Sequence, residues 1–153
     1  MSNNAKAVVF WSIAILLSFL TTPLGDVAAW IWALRLIAIA AGVAIAIVLI
    51  ARDKDIQRDS TPFDYWTIAH TMAGVVMGAW SIPFPLVVIF TIAWEIFEYV
   101  VPGFGDTEIF SNRVVDIAVA WAGWIIVAGA VALSTHASML WLLPGHSVVR
   151  GGM

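Results

Sequence analysis

A small set of polar side chains stands in or beside otherwise apolar stretches of this chain: His70, Glu95, Glu98, Asn112 and Asp116. One imidazole with three carboxylates is a hard-to-borderline donor set, suited to zinc, manganese, iron or magnesium rather than copper(I). Glu95 and Glu98 are spaced so that a helix puts both carboxylates on one side, where they can share an ion. His70, Glu95, Glu98 and Asp116 are therefore candidate metal ligands, with Asn112 and Asp106 as orienting groups. A metal held there could activate water against a lipid-linked substrate. Alternatively, Glu95 or Glu98 works with His70 in acid/base catalysis or proton transfer. The competing reading is structural: the carboxylates only hydrogen-bond His70, tryptophan indoles and backbone. Three carboxylates cannot all stay ionised and unpaired in a low-dielectric site, so protons, cations or a metal must balance them.

The elements that position these groups must lie in lipid. The chain has 153 residues, 62% hydrophobic and only 11% charged, and its mean hydropathy is +0.97. A soluble domain of this size leaves too much surface exposed to hide that apolar content. The net charge of -3 is small and spread out, so nothing suggests a nucleic-acid partner, and none is expected. With no cysteine there is no disulfide, thiolate site or cysteine nucleophile.

A spanning helix needs about 20 mostly apolar residues. Five stretches qualify as candidates: 7–24, 27–51, 62–80, 86–101 and 114–133. The first has one early charge, Lys6, like a signal peptide, but no convincing cleavage site follows, so it is read as a retained helix. The third begins with Thr61 as N-cap, Pro62 at the first helical position and Asp64 as a helix-start residue. A polar loop from Phe104 to Arg113 precedes the fifth. The apolar stretch Met139–Leu143, broken by Pro144 and Gly145, is too short to span and reads as interfacial. The expected fold is an all-α transmembrane bundle of about five spans, forming one membrane domain over 1–153.

Lysine and arginine set the orientation. With the N-terminus in the cytoplasm, Lys6, Arg52, Lys54, Arg58 and Arg113 are all cytoplasmic, and only Arg150 in the outer tail disagrees. Trp30, Trp32 and Trp80 then fall at outer ends and Trp66 at an inner end, as an aromatic belt does. Arg35 is expected to snorkel outward or to pair with Asp26.

Ionisable groups in a bilayer are functional candidates by default. At 1.5 Å per residue, His70 lies roughly 12 Å from the cytoplasmic end of its helix, and Glu98 and Glu95 roughly 5 and 9 Å from theirs. Asp116 opens the fifth span, so three helices place their polar groups in the cytoplasmic half. Faces agree as well. His70 shares a stripe with Gly74 and Gly78, Thr91 with Glu95 and Glu98, and Asn112 with Asp116, Ala120 and Gly123. The paired glycines let another helix come close.

Three segments carry a family likeness: Asp64-Tyr65-Trp66-Thr67-Ile68-Ala69-His70 with Gly74; Trp94-Glu95-Ile96-Phe97-Glu98; and Gly105-Asp106 leading to Asn112-x-x-x-Asp116 and Gly123. Over roughly Phe63 to Ala130 this order resembles the VanZ-like and YjdF-like small bacterial membrane proteins. The resemblance implies a bacterial inner-membrane protein with a site, more than a particular activity.

The leading expectation is a membrane-embedded, metal-binding site open to the cytoplasm. The alternative is a non-enzymatic accessory subunit of a larger membrane complex. A proton-coupled transporter is a third class, weakened by the absence of two repeats.

Overall fold

The computed structural model describes residues 28–52, 61–102 and 108–135, with Lys6, Val9, Phe10, Ile13, Leu16 and Leu20. The described residues form four α-helices and no strand: α1 Ala29–Arg52, α2 Trp66–Ala79, α3 Phe84–Val100 and α4 Phe110–Ser134. Apart from Val9, Phe10, Ile13, Leu16 and Leu20, the expected first span lies outside the described residues, as do Asp26, the 53–59 connector, Asp106 and the tail segment 139–143.

α2 starts later than expected. Thr61 does not cap it; its hydroxyl donates to Phe63 O at 2.6 Å. Asp64 does the capping. Its Oδ1 accepts the Thr67 N–H at 3.0 Å, and Thr67 Oγ1 accepts the Asp64 N–H at 3.2 Å. This reciprocal pair satisfies two donors that a helix start leaves open. α2 ends where Ser81 takes a left-handed φ of 57°. Ser81 N–H then returns to Gly78 O and Ile82 N–H to Met77 O, each at 3.0 Å. That closure normally uses glycine.

α4 starts earlier than expected. Asn112 and Arg113, read as loop residues from the sequence, belong to its first turn. Asn112 is buried, and its Nδ2 donates to Pro62 O at 3.2 Å, tying this turn to the segment before α2.

The span lengths differ from expectation too. α1 and α4 are long and apolar enough to cross a membrane, with 24 and 25 residues. α2 has 14 residues and α3 has 17, so these two fall short of the usual length. The hydropathy run 62–80 is longer than α2 because the Asp64 cap and the Ser81–Pro83 turn cut it back, whereas α3 is about as long as its run, 86–101.

α2 and α4 are the closest pair, and they run parallel. Gly74 meets Ala120, and Gly78 meets Trp124 one turn on. A Cβ on Gly74 would collide with the Ala120 carbonyl, and one on Gly123 would sit 2.6 Å from Thr71 O. The helices are this close only because those side chains are missing. α1 runs antiparallel to α2, with Arg35 beside Ala79 and Gly42 beside Val76. α3 runs antiparallel to α4, joined by Trp121 Nε1–H donating to Thr91 Oγ1 at 3.0 Å. An apolar core of Met77, Ala79, Ile82, Val87, Trp124 and Val131 fills the half of the bundle away from His70.

Candidate metal centre

The parallel register of α2 and α4 continues one turn below Gly74 and Ala120, and there it brings His70 to Asp116. His70 Nε2 is 3.5 Å from Asp116 Oδ2. From the other side of the ring, Nδ1 is 3.8 Å from Glu95 Oε1 on α3. Glu98, one turn after Glu95, completes a set in which one ligand atom each from His70, Glu95 and Glu98 lie within 4.8 Å of one another. Three helices thus contribute to one cluster, all from the ends where α2 and α4 begin and α3 finishes.

Two oxygens in the cluster stand out. Glu95 Oε2 and Asp116 Oδ1 are buried and have no hydrogen-bond partner among the described residues. Their residues are only 6% and 1% exposed. A buried polar atom is normally paired, so orphaned carboxylate oxygens point to a missing proton, water or cation. Two donors bound to an ion at about 2.1 Å with a tetrahedral angle are roughly 3.4 Å apart. The His70–Glu95 separation is within a few tenths of an ångström of that. Asp116 faces the opposite nitrogen of the ring.

Asn112 lies one turn before Asp116 on the same buried face, but its amide bonds Pro62 O rather than a cluster side chain. Sequence reasoning missed Arg113 as a site residue. Its Nη1 donates to the Glu95 carbonyl at 3.1 Å, its Nη2 pairs with Glu108 Oε2 at 3.2 Å, and its guanidinium lies 5.3 Å from the centre of the Tyr99 ring. Arg113 therefore fixes the backbone that carries Glu95. Its place directly after Asn112 was the one available signal.

Arg35 corrects another expectation. It does not snorkel outward: it is 1% exposed. Its Nε donates to Ala79 O at 3.2 Å, and the guanidinium lies 4.9 Å from the centre of the Trp32 ring and 5.2 Å from that of Trp80. Trp80 is accordingly buried, while Trp30 is exposed. The distance in sequence from Arg35 to the carbonyl it caps hid this arrangement.

Comparison of the chain with family models, with curated proteins and with solved structures finds no match.

Proposed function

We propose that this is an integral membrane protein that holds a divalent cation on His70, Glu95 and Glu98, in the cytoplasm-facing half of the bilayer, and acts there on a lipid-linked substrate. The observation that carries this reading is the convergence of those three ligands beside the orphaned, buried Glu95 Oε2. Three protein donors leave a position open for water or substrate, as hydrolytic metal sites do. Two carboxylates balance a doubly charged ion, which removes the penalty of burying them unpaired. A bound ion there supplies Lewis acidity and an activated water. The chain's own part is to hold the ion, to orient His70 through Asp116 and to anchor Glu95 through Arg113. The segments that resemble VanZ-like proteins run through the same residues.

Membrane insertion is supported by where the apolar surface lies. Leu36, Ile37, Ile47 and Ile50 on α1, Ile89 and Ile96 on α3, and Ile126 and Leu133 on α4 are all exposed. Water would penalise so much exposed apolar surface, whereas lipid accepts it. α2 and α3 cross as short helices, which a bilayer accommodates by local thinning. With the expected first helix they make five spans, N-terminus inside.

Metal analysis of the purified protein tests the proposal, using wild type, Glu95→Gln and His70→Ala. About one divalent ion per chain in wild type, lost in both variants, is expected. A wild type that stays metal-free after incubation with zinc or manganese, with neither variant changing stability, overturns it.

A further inference from the structure

α3 supplies both Glu95 and Glu98, so its rotation about its own axis decides whether the two carboxylates reach His70. At 3.6 residues per turn, Glu95 projects about 40° to one side of Thr91 and Glu98 about 20° to the other. The Thr91 direction thus lies between those of the two ligands. Thr91 is buried, and its hydroxyl donates within its own helix, 2.9 Å from Val87 O and 3.2 Å from Val88 O. With its single proton committed there, the oxygen accepts the Trp121 Nε1–H from α4 at 3.0 Å. An indole N–H can only donate, so the pairing has one direction.

Arg113 already holds α3 at the Glu95 carbonyl, but a helix held at one point can still swivel about it. Trp121 adds a second hold at Thr91, one turn away, and a third at the start of α3, where its ring meets Phe84 edge to face with centroids 5.7 Å apart. Turning Glu95 and Glu98 away from His70 would carry Thr91 away from Trp121. The indole N–H would then lose its acceptor in apolar surroundings, which is penalised.

We infer that Trp121 and Thr91 are positioning residues for the metal site: their hydrogen bond sets the rotation of α3 and so aims Glu95 and Glu98 at His70. This inference rests on the metal-site reading. Neither residue belongs to the ligand set.

The experiment compares purified full-length wild type with Trp121→Phe, Thr91→Val, the double variant and Thr91→Ser, using zinc and manganese. Metal affinity is read by competition with graded chelators, and stability of the metal-free form by unfolding in SDS. Trp121→Phe keeps a ring beside Phe84 without the N–H, and Thr91→Val keeps a branched side chain without the hydroxyl. Each should weaken binding roughly 10-fold. The double variant should lose no more than either single one, because both remove the same bond. Thr91→Ser retains the hydroxyl and should bind as wild type does. The two single variants alter opposite ends of the bond, so either suffices if the other does not fold. A loaded wild type beside variants of equal affinity, with only metal-free stability lowered, overturns the inference and leaves the metal site standing. Additive losses in the double variant overturn it too. A wild type that takes up neither ion removes the metal-site reading itself, and this inference with it.

Discussion

Asp116 holds His70 from behind: its Oδ2 is 3.5 Å from Nε2, while Nδ1 of the same ring faces Glu95. A carboxylate on the far nitrogen fixes the tautomer and rotation of a ligating imidazole. Asp116→Asn should therefore keep one metal per chain and bind it roughly 10–100-fold more weakly. Competition with a graded series of chelators measures this. Complete loss of stoichiometry would instead make Asp116 a direct ligand.

Glu98 differs from Asp116 in kind, because it stands within the ligand set itself. Glu98→Gln leaves a neutral amide in place of an anionic donor, and stoichiometric loading should fail. Ligands shed protons when a metal binds. Metal addition to wild type in weak buffer should release protons, and addition to Glu98→Gln should release none. Equal release from both proteins would remove Glu98 from the set.

The contact between α2 and α4 predicts a sharp contrast between two glycines. A methyl at Gly74 meets the Ala120 carbonyl, whereas one at Gly129 meets nothing within 4 Å. Gly74→Ala should destabilise by about 1–3 kcal/mol or more through overpacking, and Gly129→Ala should be neutral or slightly stabilising. Unfolding in graded SDS reports both, and similar midpoints for the two variants would contradict the packing.

Asp64→Ala removes the cap of α2 and should cost about 0.5–2 kcal/mol in the same assay, while Thr61→Ala should change little. Reversal of that order would place the helix start at Thr61.

Topology is testable because the chain has no cysteine. Asp55→Cys in sealed, right-side-out cells should resist a membrane-impermeant maleimide until the cells are opened. Labelling of intact cells would invert the proposed orientation.

Helix faces were the most legible part of the fold. A 3.6-residue period projects Asn112, Asp116, Ala120 and Gly123 onto one side of α4 whatever packs against it, and the structure buries all four. The same holds for Thr91 and Glu95 on α3 and for Gly74 and Gly78 on α2. Helix ends were less legible, since Thr61-Pro62 and Asp64-x-x-Thr67 are both start signals and only the reciprocal bonds decide between them. Arg35 was illegible for a different reason. Whether a charge in an apolar run reaches out or tucks in depends on a distant helix end meeting it, and no local pattern encodes the Ala79 carbonyl. Arg113 was hidden likewise, because its role rests on a carbonyl of another helix.

Among the described helices, α2 and α4 are locked together by backbone contact, while α3 touches α4 through far fewer neighbours. Yet α3 carries Glu95 and Glu98, two of the three proposed ligands. An ion on His70, Glu95 and Glu98 would thus be a cross-link as well as a reagent. Seating α3 and loading the site become one equilibrium, so any substitution that loosens the α3 contact should register as weakened metal affinity even when it touches no ligand.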